Sequence, residues 1–374
     1  MDLTLQILPD NQISVRCRTH VSAPSFCFAL LDSLQINSIQ NNGTPHAAAA
    51  EPCHLPFRPP LIRYTLSDLQ PGELSFAYTG PLRGSFLFAD ESLHHFSFYN
   101  AWYPMGFDAD TDFTVTLLHD DSKVLLNGTY DPADRHWHYH AQQQTFSDCN
   151  ILLYDPQACA AFENDSVRML FFDREYRSSA AAFAEKHAAI IPFYQYLYGH
   201  ASNQKHTVVF LPQSKNAPGA YIRGDLIVFG ETYPDMRRAL HILAHELGHA
   251  YAVGADTESW EDWLNETHAE WSALLFAANT APDLFNTLIT ELQERYHQQP
   301  ITLRPNGSAR PQDVHTAGTR LYCGIYHRYG SDAVKMLLQT FDQLENKTTA
   351  SFLTAVESKS PAIADIIRAA CREH

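Results

Sequence analysis

The sequence is poor in the features that mark several large classes of protein. It has no paired-cysteine pattern: Cys17, Cys27, Cys53, Cys149, Cys159, Cys323 and Cys371 are odd in number, scattered and free of any CxxC, which suits reduced thiols better than a disulfide framework. Basic residues are few, 26 Lys and Arg against 42 Asp and Glu, for a formal charge of -16. That balance argues against a nucleic-acid partner, whose phosphates need clustered cations. The opening MDLTLQILPDNQ lacks the basic start and apolar run of a signal peptide. No stretch has the uninterrupted apolar length of a membrane span, so no membrane partner is expected and a cytoplasmic location is the default. There is no internal repeat, and no low-complexity linker beyond the alanines at 47–50. What remains is a chain of 374 residues, 45% hydrophobic and 18% charged, with enough apolar mass for two cores.

Alternation and turn signals dominate the first part of the chain, 1–165, and predict an antiparallel β-sandwich-type domain. Short strands are expected at Ser14–Thr19, Phe26–Leu31, Leu61–Leu66, Leu74–Tyr78, Phe113–Leu118 and Val124–Leu126. Asn42-Gly43, Pro71-Gly72 and Asn127-Gly128 supply turns. The remainder, 166–374, predicts a mixed, mostly helical domain. Helices are expected at Ser178–Leu197, Met236–Val253, Trp263–Asn279, Pro282–His297, Thr316–Tyr329, Ser331–Leu344 and Ala362–Cys371, with buried strands at Thr207–Leu211 and Asp225–Phe229. The fold class is therefore α+β, in two domains.

The chemistry concentrates at HELGH, residues 245–249. His245 and His249 stand four apart on a predicted helix, so both imidazoles share one face and can reach one ion. Glu246 sits beside them as a base for a metal-carried water. A catalytic zinc of this kind needs a third protein ligand and an open position. The HExxHxxGxxH pattern fails, because Ala252 and Ala255 occupy its last two defined positions. The following WLNETHAEW supplies Glu266 and Glu270 on one helix face. Glu266 is the expected third ligand, and Glu270 the acceptor for the spare ring N–H of a ligating histidine.

At this point the sequence resembles the gluzincins, in particular the M1 aminopeptidase family with its HExxH and WLNEG pair. The family has eighteen residues between the second histidine and the glutamate; here there are sixteen. Strict counting would land on His268, but the WLNE motif outweighs the count, since a loop can lose two residues cheaply. Gly219, Ala220, Tyr221, Ile222 and Arg223 parallel the family's GAMEN strand, which implies an edge strand that binds peptide by strand addition. His315-Thr316-Ala317-Gly318 falls where the family has YxKG, and Trp102-Tyr103-Pro104 resembles the end of its β domain. The resemblance implies a thermolysin-like catalytic domain with a single zinc.

Three departures accompany these matches. Ile222 replaces the glutamate that grips a free amino terminus in the family. His315 replaces the tyrosine that stabilises the oxyanion; a histidine can donate that hydrogen bond, with Tyr322 two turns on as a fallback. The chain ends where the family's large C-terminal helical domain would begin, so a more open cleft is expected. The expected function is thus zinc-dependent peptide hydrolysis, with exopeptidase and endopeptidase modes both open. The rivals are a non-catalytic peptide-binding or scaffold protein on the same fold, and a zinc hydrolase of non-peptide bonds.

Other features read more plainly. His136, His138 and His140 alternate on one strand face and suit an exposed His-rich strand better than a second metal site. Phe183, Phe193, Tyr194 and Tyr198 are expected in the core, as is Cys323. His327 and Arg328 suit a helix C-terminus. Arg223 lies where it could meet a substrate carboxylate.

Overall fold

The computed structural model describes residues 1–55, 57–106, 112–141, 149–172, 174–200, 205–213, 217, 219–231, 233, 235–296, 301–304 and 307–371. Alternation along the first strands sets their faces. In Gln12–Val21, Ile13, Val15, Cys17 and Val21 point into a core while Arg16 and Arg18 stay exposed. The strand belongs to an eight-stranded sheet in which Asp2–Leu8 and Gly72–Pro81 flank it. Smaller sheets of three and four strands complete this β domain. At the Asn42-Gly43 turn both residues have positive φ, 50° and 78°, the conformation a two-residue hairpin loop demands. One departure from an all-antiparallel domain occurs where Asp2–Leu5 pairs with Thr114–Leu117 in parallel. Trp102 is fully buried and donates from Nε1 to the Cys149 carbonyl at 2.8 Å.

The second domain has a five-stranded sheet in the order Ala160–Glu163, Val167–Phe171, His206–Phe210, Leu226–Phe229 and Ala220–Arg223. The last of these is an edge strand, antiparallel to its neighbour. Val167–Phe171, which the sequence reading passes over, pairs in parallel with His206–Phe210; buried almost throughout, it shows no alternation to read. Helices follow at Ala180–Tyr198, Met236–Gly248, Trp263–Thr280, Pro282–Tyr296, Val314–Tyr329, Ser331–Asp342, Thr349–Lys359 and Pro361–Ala370. The expected end of the fourth of these at His297 lies outside the described residues. Phe183, Tyr194 and Tyr198 are buried in the core and Phe193 packs against it. Cys323 is buried too, and His327 and Arg328 occupy the last turn of their helix. Among the described residues no helix is long and apolar enough to cross a membrane.

The two domains meet through an apolar cluster that includes Phe86, Leu93 and Leu152 from one side and Val209, Tyr221 and Val228 from the other. A polar contact fixes the same junction. Asn150 Nδ2 donates to the Tyr221 hydroxyl at 2.8 Å, and that hydroxyl lies 3.2 Å from His95 Nε2. The edge strand is therefore anchored by residues of the β domain.

Histidines in the cores make stability depend on pH. His268 is fully buried, stacks on Phe341 at 4.4 Å between centroids, and sits 3.0 Å from the Tyr322 hydroxyl. Burial pushes its pKa down from the usual 6.5 to about 3. The unfolded chain binds a proton near pH 6.5 that the folded ring refuses, so stability falls as pH drops below that value. Between pH 7 and pH 5 the wild type should lose about 2 kcal/mol more stability than His268→Phe. Urea denaturation of both proteins at the two pH values checks this; parallel losses would contradict it.

Candidate metal centre

Two helices and their close approach build the centre. Met236–Gly248 begins at an Asp235 N-cap, whose side chain accepts from the Arg237 N–H, and it buries Ala239, Leu243, Ala244 and Leu247. It is shorter than the expected Met236–Val253. His249 is its C-cap residue, with its N–H turned to the Glu246 carbonyl at 3.1 Å. His249 still keeps right-handed helical backbone angles, so the four-residue spacing continues to place its ring beside that of His245. The ring centroids are 4.9 Å apart.

Trp263–Thr280 carries the glutamates. Trp263 and Trp271 are both fully buried. Trp263 Nε1 donates to Thr349 Oγ1 at 2.9 Å, and Trp271 Nε1 donates to the Thr319 carbonyl at 3.0 Å. With both indoles pinned, the helix has one rotational setting, and it turns Glu266 and Glu270 toward the histidines. Gly248 lets the two helices touch: a Cβ there would meet the Ala269 carbonyl oxygen at 2.9 Å and its Cα at 3.0 Å. Gly318 does the same for Val314–Tyr329, since a Cβ would overlap Thr267 Oγ1. That second approach brings His315 to Glu266.

The result is a convergence on one carboxylate oxygen. Glu266 Oε2 lies 3.6 Å from His245 Nε2, 3.6 Å from His249 Nε2 and 2.8 Å from His315 Nδ1. Despite these neighbours the oxygen is buried and accepts no well-formed hydrogen bond. One donor atom each from His245, His249 and Glu266 fall within 4.8 Å of one another. Two imidazole nitrogens and one carboxylate oxygen, the last buried and left unsatisfied, fit a zinc with an open fourth position.

The surrounding groups set orientation and charge. Glu270 Oε2 lies 2.8 Å from His245 Nδ1, which leaves Nε2 as the nitrogen facing the centre. Its other oxygen is 3.0 Å from His241 Nε2. Burial disfavours the Glu270 anion, yet the charges and hydrogen bonds of His241 and His245 outweigh it and hold the pKa below the usual range. Arg310 binds Asp262 at 2.7 Å through both Nε and Nη2, and Nη2 stands 3.7 Å from Glu266 Oε1. Glu246 is buried next to the cluster. Burial raises its pKa, partly offset by the charges of His245 and His249.

The three candidate ligands and Glu246 face a cavity of about 570 Å³ at the domain junction, a volume ordinary for a small-ligand or peptide subsite. Its wall includes Phe57, Phe98 and Tyr99 of the β domain, Ala220 to Arg223 of the edge strand, and His245, Glu246, His249, Glu266, Arg310 and His315. Gly219 stands just before the strand, its N–H donating to Glu231 at 3.0 Å. Tyr322 is not brought there. Seven residues of helix carry it about 10 Å beyond His315, into the core against His268. His241, Asp262, Arg310, Phe57, Phe98 and Tyr99 escape the sequence reading. Only His241 left a signal, four residues before His245 on the same face. His138 Nε2 pairs with Asp134 Oδ2 at 2.9 Å near Asp131, but these residues are largely exposed.

Glu270→Gln leaves one acceptor oxygen where two histidines need one each. Zinc affinity, measured by chelator competition, should fall about 10- to 100-fold. An unchanged affinity would mean that Glu270 does not orient the ligands.

No family model matches the chain, and no curated protein matches it. Solved structures do. An M1 zinc metallopeptidase from Deinococcus radiodurans aligns with a TM-score of 0.69 at 16% identity, covering 99% of this chain and 93% of that one. A mutant form bound to a Tyr-Ser-Ala substrate aligns at 0.67 and 15% identity, with the same coverages of 99% and 93%. Native yeast LTA4 hydrolase aligns at 0.68 and 14% identity, covering 98% of this chain and 65% of that one. A β domain joined to a helical domain, with neighbours of this kind along nearly its whole length, gives the chain the two-domain fold of the M1 zinc metallopeptidases.

Proposed function

We propose that the protein is a zinc-dependent metallopeptidase, with one zinc per chain held by His245, His249 and Glu266. The observation that carries this reading is the meeting of those three side chains beside the buried Glu246, in a cavity bordered by an edge strand. Bound zinc would supply a Lewis acid for a carbonyl oxygen and lower the pKa of a water molecule toward neutrality. Glu246 takes the proton of the attacking water and returns it to the leaving amine. Burial raises its pKa above the ordinary carboxylate value, which strengthens it as a base. His315, at the mouth of the cluster, donates to the oxyanion, a role the buried Tyr322 is not placed to take. Glu270 orients His245.

Gly219 to Arg223 align an extended peptide by main-chain pairing along the open edge. The neighbour crystallised with a tripeptide supports peptide binding in such a cleft. Intact ligands, base and orienting glutamate weigh against a scaffold role. The seven cysteines form no disulfide with one another, which suits a reducing setting.

Glu246→Gln should keep zinc near one per chain while hydrolysis of a peptide library, read by mass spectrometry, falls about 10²- to 10⁴-fold. A wild-type protein that takes up no zinc would sink the reading. In parallel, His315→Ala should lower kcat about 10²- to 10³-fold with zinc content unchanged; full kcat in that variant would remove His315 from the oxyanion role.

A further inference from the structure

Three histidines, not two, follow one another at four-residue spacing along the first helix of the centre: His241, His245 and His249. Glu266 and Glu270 stand four apart on the helix that faces it. The glutamates interleave with the rings. Glu266 Oε2 lies 3.6 Å from His245 Nε2 and 3.6 Å from His249 Nε2. Glu270 Oε2 lies 2.8 Å from His245 Nδ1, and its Oε1 lies 3.0 Å from His241 Nε2. Each carboxylate thus stands between two successive histidines, and His245 is held from both sides. His241 is the one ring of the series outside the proposed metal centre.

Packing alone does not call for a histidine at this position. The side chain is 6% exposed, and Nδ1 is buried without a hydrogen-bond partner among the described residues. A leucine would fill such a place without that cost. What the ring supplies is the N–H at Nε2. An ionised carboxylate only accepts hydrogen bonds, so the two nitrogens that face Glu270 donate to it. A carboxylate held by one oxygen can still turn about its last bond, and one held by both cannot. With Oε1 on His241, Oε2 is aimed at His245 Nδ1, which leaves Nε2 of that ring to face Glu266. Both anchors come from one helix, a turn apart. The Tyr194 hydroxyl ties the same helix in place by donating to the Ala244 carbonyl at 2.6 Å.

We infer that His241 is a positioning residue of the metal centre: by holding one oxygen of Glu270 it aims the other at His245, and so presents His245 Nε2 to the metal. This rests on the zinc reading for the metal, whereas the orientation of His245 belongs to the metal-free chain as well.

Two measurements test it: zinc affinity by chelator competition, and the downfield proton resonances of hydrogen-bonded imidazole N–H groups in the metal-free protein. His241→Phe removes the donor, and His241→Gln returns an amide N–H near the Nε2 position. Zinc affinity should fall about tenfold in His241→Phe and no more than about threefold in His241→Gln. Adding His241→Phe to Glu270→Gln should cost nothing further, because the route through Glu270 is already cut. Without metal, His241→Phe should abolish its own resonance and also shift or broaden that of His245 Nδ1–H, while His241→Gln preserves the latter. If circular dichroism shows His241→Phe unfolded, His241→Asn, polar but too short to reach Glu270, takes its place with the same expectations. An unchanged His245 resonance overturns the inference. So does unchanged affinity in a protein that binds zinc, or an equal further loss on the Glu270→Gln background. A wild type that binds no zinc removes the zinc reading, and the His245 resonance then decides alone: a shift sustains the orienting role of His241, and no change ends it.

Discussion

Everything around the centre answers to one buried oxygen. Glu266 Oε2 sits in the interior with imidazole nitrogens of His245, His249 and His315 turned toward it and no well-formed hydrogen bond. A carboxylate taken out of water is costly unless positive charge or strong donors compensate. Two nearby imidazoles presenting nitrogens to the same point, with an anion beside them, make a place where a divalent cation removes the cost for all three groups. The rest of the local structure serves to hold that arrangement. Arg310 and Asp262 brace the other carboxylate oxygen, Glu270 fixes the ring of His245, and the indoles of Trp263 and Trp271 stop their helix from turning.

The two glycines show how tight the tolerance is. At Gly248 and Gly318 the helices approach so closely that a single methyl group would collide with the facing helix. Close packing of this kind does not relax for free, so the approach of the histidines to Glu266 is set at Gly248 by the Ala269 backbone and at Gly318 by the buried Thr267 and Trp263 side chains. The β domain acts at one remove. Through His95 and Asn150 it holds Tyr221, and so fixes the edge strand that borders the cavity. It also contributes the aromatic wall that positions Arg223. The candidate metal ligands lie in one domain, while the lining of the cavity comes from both.

Much of this was legible in the sequence wherever the information was local. His245 with His249, and Glu266 with Glu270, declare themselves through four-residue spacing, because a helix puts such pairs on one face. Choosing Glu266 over His268 required weighing a motif against a count, and the structure turns His268 into the core and Glu266 to the centre. Arg310 and Asp262 could not be found this way: 48 residues separate them, and nothing in either segment points to the other. Phe98 and Tyr99 were equally silent, since they reach the cavity only when the domains dock. The end of the Met236–Gly248 helix, the strand Val167–Phe171 and the helix Thr349–Lys359 were missed or misplaced because tertiary packing, not periodicity, decides them. Tyr322 lies in the core rather than in the cavity wall for a simple reason of length: two turns of helix carry it past His315 to His268.

The most direct test of the account is anomalous diffraction at the zinc edge from crystals of the zinc-equilibrated protein. The account predicts a single strong peak bounded by His245 Nε2, His249 Nε2 and the Glu266 carboxylate, with Glu246 beside it and outside the coordination sphere. No peak at that position, or one confined to Asp131, Asp134 and His138, would contradict it.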